Sequence, residues 1–172
     1  MLLRYRKDTT NNELANARDV THIVIDESVT TVRAYAFKEC LWLVSVTMSD
    51  TVIKIEREAF NGCSCLDFVR LSTALRRIGE SAFRNCIAMN TIFLPSSLKY
   101  IEEKAFYGCL KLTPFILPNG IQPDNVGNVI IWHTPIERLA IRDGKPYEND
   151  VEQPSNHNNF QVNYWLIHFN MK

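Results

Sequence analysis

The chain has 172 residues, of which 46% are hydrophobic and 22% charged, and its 19 basic and 19 acidic residues cancel. This length fits one domain, and the composition is that of an ordinary soluble globular protein. The zero net charge argues against a dedicated nucleic-acid or membrane-surface binder, which would carry a basic excess. No apolar stretch reaches the roughly 18 residues of a transmembrane helix, so membrane insertion is not expected either.

The N-terminal segment, residues 1–19, is polar and charged, with Leu14 and two alanines that favour at most a short helix. We expect it to cap the first strand of the repeats that begin at residue 20, because the open end of a repeat array exposes unpaired backbone groups. The segment lacks the apolar core of a secretory signal, and the chain has no Asn-x-Ser/Thr acceptor site. These features predict an intracellular protein, or a secreted one if the natural leader is missing from this chain.

Residues 20–124 repeat the same pattern with a step of 23 residues. An Ala-Phe pair recurs at Ala36-Phe37, Ala59-Phe60, Ala82-Phe83 and Ala105-Phe106. A cysteine follows four residues after each alanine, at Cys40, Cys63, Cys86 and Cys109. An apolar triplet spaced i, i+3, i+5 lies between these pairs, as in Leu66, Val69 and Leu71. Self-similarity at this period is typical of leucine-rich repeats and predicts a solenoid.

Each repeat has a predicted local structure. The triplet predicts a short strand, the Ser/Thr/Pro-rich residues after it predict a turn, and the Ala-Phe segment predicts one helical or 3₁₀ turn. The residue before the cysteine is Gly62, Asn85 or Gly108 in three turns, which predicts a positive φ there. Glu39 departs from that pattern in the first turn.

The repeated phenylalanines and cysteines are expected to stack in the core. Phe60 and Phe83 should each have an aromatic neighbour in both adjacent turns. The four cysteines in register should be reduced, buried thiols, because their Cβ vectors would run parallel rather than face each other. Cys65 lies outside the column, and one Cys63-x-Cys65 pair is a weak metal signal.

Beyond residue 124 the period fails. Asn128-Val129 stands where Ala-Phe should be, yet the triplet spacing returns at Ile136, and residues 125–142 are therefore predicted to form a degenerate last turn. Residues 143–172 are predicted to form a polar loop followed by a closing strand, because residues 160–169 are apolar and aromatic.

The repeat columns resemble the BspA-type leucine-rich repeat, most clearly in residues 78–101, IGESAFRNCIAMNTIFLPSSLKYI. The resemblance implies an α/β repeat solenoid: a right-handed arc with a parallel sheet on its concave face and short helical or 3₁₀ turns on the other side. Members of that family are mostly binding or adhesion modules, found at surfaces and inside cells.

The strand positions between the inward-pointing triplet residues should project from the concave sheet face. These candidate partner-binding residues are His22, Val24, Ser45, Thr47, Phe68, Arg70, Thr91, Phe93 and Ile116. Phe68, Arg70 and Phe93 should cluster on neighbouring strands, and exposed aromatics with arginine are the composition of binding hot spots. Solenoids use their concave sheet for recognition, although isolated exposed apolar residues are normal on any surface.

The sequence contains few motifs typical of catalysis, metal binding or phosphate binding. The four histidines are scattered without zinc-binding spacing, and the chain has no phosphate-binding glycine loop and no nucleophile elbow. We therefore expect no catalytic residue, no metal, no cofactor and no small-molecule substrate. The sequence favours a non-enzymatic module that binds a protein partner. The alternatives are a cell-surface or secreted adhesin that binds glycans, an enzyme using Cys65 with a distant histidine, and a repeat array acting as a spacer.

Overall fold

The structure is a computed structural model that describes residues 1–113, 115–118 and 121–135. The chain winds into a parallel β-solenoid of about four turns. Its regular elements are the strands β1 (Leu2–Tyr5), β2 (His22–Ile25), β3 (Thr31–Val32), β4 (Ser45–Met48), β5 (Lys54–Ile55), β6 (Phe68–Arg70), β7 (Arg77–Ile78) and β8 (Tyr100–Ile101), the helix α1 (Asn11–Ala15), and the 3₁₀ helices Asn16–Asp19 and Pro123–Asn125.

Two parallel sheets form two sides of the solenoid. Sheet A has the order β1-β2-β4-β6, and sheet B has the order β3-β5-β7-β8. The register of β4 with its neighbours follows the sequence period, since His22 pairs with Ser45 and Ser45 pairs with Phe68. Alternate strand residues therefore share a face, so that the apolar members of each triplet point into the core together.

The third side carries the Ala-Phe pairs, and here the predicted short helices are wrong. The Ala-Phe segments are turns, and the described helices are limited to the one-turn elements near the two ends. Over the described residues the chain is therefore a β-solenoid with little helix rather than an α/β solenoid. The reason is that the backbone of this side bonds to the next turn: Phe37 N donates to Ala59 O, and Phe60 N to Ala82 O, both at 2.8 Å.

Left-handed residues explain why no helix continues through these segments. The position before the column cysteine has a positive φ in each turn, which confirms the prediction and extends it to Glu39 at 59°. A second left-handed position precedes each Ala-Phe pair. Its occupants are Tyr35, Glu58, Ser81 and Lys104. None of them is glycine, so this position gave no signal in the sequence.

The core is a stack of aromatic rings surrounded by the aliphatic columns. Phe37, Phe60, Phe83 and Phe106 lie parallel with ring centroids 5.2–5.4 Å apart, as predicted. The stack ends in two rings that meet it edge-on. Tyr5 contacts Phe37 at 5.2 Å, and Phe115 contacts Phe106 at 5.1 Å. The aromatic core thus runs through six rings.

The N-terminal segment adds a strand of its own to sheet A. Strand β1 pairs with β2 along its whole length, from Leu2 with His22 to Tyr5 with Ile25. A capping box starts α1: Thr10 Oγ1 accepts from Glu13 N at 3.3 Å, and Glu13 Oε2 accepts from Thr10 N at 2.6 Å. Leu14 lies 23 residues before Phe37 and packs against the core.

A further turn follows Phe106, with a register two residues later than the sequence period. Phe106 N donates to Ile130 O at 2.8 Å, the bond that Phe83 makes to Ala105 in the turn before. Ile130 and Ile131 therefore replace Ala-Phe, and both are buried. Residues 136–142 of the predicted last turn, and the predicted loop and closing strand of residues 143–172, lie outside the described residues.

Candidate binding face on sheet A

The face of sheet A is the row of side chains that alternate with the buried triplets. In β2, β4 and β6 the structure places them there, from exposed His22 and half-buried Val24, Ser45 and Thr47 to exposed Phe68 and Arg70. Strand β1 extends the face with Leu2 and Arg4, which pair with His22 and Val24. This extension was not expected, because the Ala-Phe and cysteine columns do not continue into residues 1–19.

Three apolar side chains dominate the C-terminal half of the face. Phe68 is 58% exposed, Ile116 58% and Phe93 83%, whereas the neighbouring triplet residues Val69, Ile92 and Phe115 are buried. The prediction that Phe93 lies on a strand next to β6 is wrong. Among the described residues, sheet A ends at β6, and neither Phe93 nor Ile116 belongs to a strand.

Arg70 shortens the pairing of β6 with β4. In the turn before, Ile25 O accepts from Ser49 N at 3.1 Å and closes the pairing of β2 with β4. The equivalent acceptor, Met48 O, receives the guanidinium of Arg70 instead. Strand β6 consequently pairs with β4 over three residues, one fewer than β4 pairs with β2.

The arginines of the face are neutralised by aspartates. Arg4 Nε lies 3.1 Å from Asp26 Oδ2, and Arg70 Nη2 lies 3.2 Å from Asp50 Oδ2. Hydrogen bonds from the backbone of Ser28 and Thr73 respectively, more than the arginines, lower the pKa of the two carboxyl groups. The face therefore presents paired charges, and Arg70 is already engaged within the protein rather than free to form a new ion pair.

A second apolar row flanks sheet A on the side of the Ala-Phe turns. Leu41, Ile87 and Leu110 follow the column cysteines in three turns, and all are exposed. We call these three residues the flank row. Trp42, beside it, is 63% exposed. This row was not expected, because it lies outside the predicted strands, although its positions recur every 23 residues or a multiple of 23.

The cysteine column is buried, and its thiols stay protonated near neutral pH. The Sγ atoms of Cys63, Cys86 and Cys109 donate to the carbonyl oxygens of Phe37, Phe60 and Phe83 at 3.1–3.3 Å. Burial raises the pKa of Cys40 to about 11 and that of Cys109 to about 12, and it raises the pKa of the other two as well. All five cysteines are free thiols, as predicted for the column, and Cys65 is the exposed one.

The described residues also bear on metal sites and membrane spans. In residues 1–113, 115–118 and 121–135, no three His, Cys, Asp or Glu side chains converge as metal ligands would. His22 contacts Thr21 through Nδ1, 2.8 Å from Oγ1, at the edge of the face. Across the same ranges, none of the helices has the length and apolar character needed to span a membrane.

Residues 7–128 match the BspA-type leucine-rich repeat region in six copies. The chain belongs to that family. The six copies begin within the segment predicted to be a cap, just after strand β1 ends at Tyr5. Leucine-rich repeats of this type are scaffolds typical of protein-interaction and surface proteins. No curated protein sequence matches the chain significantly.

Two solved structures of bacterial leucine-rich repeat proteins are similar to the chain. A leucine-rich repeat protein of T. pallidum is 30% identical with a TM-score of 0.60, over 62% of this chain and 51% of that one. A leucine-rich cell surface protein of Faecalibacterium prausnitzii A2-165 is 31% identical with a TM-score of 0.57, over 59% of this chain and 27% of that one. The chain thus matches about half of the first protein and about a quarter of the second.

Proposed function

We propose that the chain is a non-enzymatic interaction module that binds a protein partner through the face of sheet A. In this proposal sheet A lines the concave side of a right-handed arc, and the contact lies toward its C-terminal half. The exposure of Phe68 and Phe93 carries the proposal. Large aromatic side chains at the centre of a surface are the residues that most often dominate a protein–protein contact.

The electrostatics of the face support a contact that excludes water. Arg4 and Arg70 are each paired with an aspartate, so covering them requires no unpaired charge to be desolvated. Val24, Ser45 and Thr47, between the N-terminal strand and the aromatic half of the face, are small and half-buried. Small side chains next to exposed rings suit a partner that places one or two apolar side chains against Phe68 and Phe93.

The test is a comparison of two double variants against a partner captured by the wild-type chain. With the purified partner, Phe68→Ser/Phe93→Ser is expected to weaken binding about tenfold or more in titration calorimetry. Leu41→Ser/Leu110→Ser removes similar apolar surface from the flank row and is expected to bind as the wild type does. The reverse pattern would move the site to the flank row, and equal binding by all three chains would reject both rows.

The F. prausnitzii neighbour favours a second candidate, because its description is that of a cell surface protein. In that case the same face would act in adhesion and would bind a surface protein or a glycan. An antibody against the native protein would label intact source cells if the chain is displayed outside the cell. Labelling only after permeabilisation would reject the adhesin and leave the interaction module.

A further inference from the structure

We propose that residues 160–169 of this chain dock on the C-terminal half of the sheet A face, over Phe93 and Ile116. There they compete with the protein partner. The competition rests on the proposed function, whereas the docking does not, and each has its own test below. In this arrangement residues 160–169 cover the face until a partner displaces them.

The surface to be covered is unusually apolar. Phe93 is 83% exposed and Ile116 58%, and Phe68 borders them at the last strand of sheet A. Single exposed apolar residues need no explanation, but three large ones in adjacent turns form a patch of the kind that marks a binding site.

The stretches that carry Phe93 and Ile116 also lack charge. Residues 87–98 and 112–118 contain no Asp, Glu, Lys or Arg. The neighbouring Arg70 is held by Asp50. A charged occupant would lose its hydration here without gaining a counter-charge, which is unfavourable. The chemistry of the surface therefore selects an uncharged, apolar segment.

The chain contains one such segment outside its described residues. Residues 160–169 read FQVNYWLIHF, with four Phe, Tyr or Trp residues and no Asp, Glu, Lys or Arg. The preceding 24 residues, 136–159, carry eight charged side chains and no comparable run. Composition therefore matches this segment, and not the one before it, to the uncharged half of the face.

The geometry of the last turn places the segment within reach. Thr134 follows Ile130 as Cys109 follows Ala105, so that Pro135 continues the column of Leu110 in the flank row. The described chain therefore ends beside sheet A, at the end nearest Ile116. Residues 136–159 could span up to about 80 Å at about 3.3 Å per residue. The solenoid's turns, stacked about 4.8 Å apart, extend over only about 20 Å.

A short connection also favours docking within one chain over docking on a second copy. Tethering raises the effective concentration of a segment at its site to about the millimolar range when the connection can span the distance. A second copy at micromolar concentration would have to bind far more tightly to compete. The occupant we assign is accordingly the chain's own segment.

Photo-crosslinking in the full-length chain tests the docking. p-Benzoylphenylalanine in place of Phe93 is expected to crosslink to residues 160–169 in a product of monomer size. In place of Tyr35, which is exposed on the Ala-Phe side, it is expected not to. A dimer-sized product would assign the face to a second copy. Crosslinks only to other parts of the chain, or none, would reject the docking.

Proteolysis gives a second readout that needs no partner. Chymotrypsin cleaves after aromatic residues, so Tyr164 and Trp165 report whether the segment is covered. Phe93→Ser is expected to accelerate cleavage there several-fold, and Tyr35→Ser is expected to leave it unchanged. Equal cleavage in both variants would contradict the docking.

The competition is tested in the full chain with a single charge in the segment. Leu166→Lys is expected to strengthen partner binding several-fold, because the charged segment no longer fits the uncharged face. Val151→Lys, outside the segment, is the matched control and should have no effect. A crosslink at Phe93 with unchanged partner affinity in Leu166→Lys would reject the competition alone. If the probe at Phe93 gives no crosslink to residues 160–169, while Phe68→Ser/Phe93→Ser still weakens partner binding, the docking is rejected and the proposed function stands.

Discussion

Individual backbone conformations shape each turn of this solenoid. Two residues per turn, such as Tyr35 and Glu39 in the first, hold a positive φ, and most of them are not glycine. For an ordinary residue that conformation costs about 1–2 kcal/mol, so these positions persist only because the hydrogen bonds between turns hold them.

Two glycines allow the backbone cost to be separated from a steric one. Gly62 has a φ of +78°, and an added Cβ would lie an ordinary 3.4 Å from Glu39 Cγ. Gly62→Ala is therefore expected to lose only the conformational term of about 1–2 kcal/mol. At Gly79 the added Cβ would lie 2.7 Å from the Glu56 carbonyl carbon. Because that neighbour is backbone, Gly79→Ala should cost more, at or above the upper end of the ~1–3 kcal/mol for overpacking.

Urea unfolding of the two glycine variants beside the wild type measures the difference. Equal losses, or a larger loss for Gly62→Ala, would contradict the close approach of neighbouring turns at Gly79.

The central structural element is the stack of phenylalanines. Phe83 is fully buried, with ring centroids of its neighbours at 5.2 and 5.4 Å. Phe83→Ala is expected to lower the free energy of unfolding by about 3–5 kcal/mol, the range for truncating a buried phenylalanine. Phe68→Ala, on the exposed face, is the control and should change it far less. Chemical denaturation showing a loss below about 1 kcal/mol for Phe83→Ala would contradict the stack.

The elements differ in how far the sequence could predict them. The 23-residue period predicted the buried triplets and the Phe and Cys columns, because each of these positions recurs in several repeats. Residues 129–132 could be expected to supply the core residues of the last turn. Strand β1 and the two-residue shift that brings Ile130 to the alanine position could not be predicted, since each depends on a pairing formed once and out of period. The Ala-Phe turns were mistaken for helices because Tyr35 and Glu58 carry no sign of a left-handed backbone.

The candidate site was predictable in part for the same reason. Alternation along the strands placed Phe68 and Arg70 on the sheet face. That Arg70 binds Met48 O and Asp50 within the protein, and that sheet A ends beside it, follows from contacts between turns. Trp42 and the flank row were not predicted to be exposed, because the alternation of buried and exposed residues is a signal only within strands.

For the whole molecule, the four buried thiols make stability depend on pH. An unfolded thiol has a pKa of about 8.5, whereas burial raises the pKa of Cys40 to about 11 and that of Cys109 to about 12 in the fold. The folded state keeps protons that the unfolded state loses, so this stabilisation is complete below about pH 8.5 and is lost as the pH rises. The slope approaches about 1.4 kcal/mol per pH unit for each buried thiol.

Unfolding measured from pH 8 to 10.5 tests that dependence. Cys40→Ala is expected to reduce the loss of unfolding free energy per pH unit by the contribution of one thiol. Cys65→Ser, at the exposed thiol, should leave that slope unchanged. A Cys40→Ala slope identical to the wild-type slope would show that the column thiol ionises as freely in the fold as in the unfolded chain.

The hydrogen bonds of the Ala-Phe side have an electrical consequence. Between each pair of turns three backbone N–H groups donate toward the following turn, as Phe37 does to Ala59 and Phe106 to Ile130. Alternation of left- and right-handed residues turns these N–H groups the same way. On this side of the solenoid the peptide dipoles of about 3.5 D each therefore add along the axis instead of cancelling. Their positive ends point toward the last turn and their negative ends toward the first, the opposite of an α-helix followed from its N-terminus.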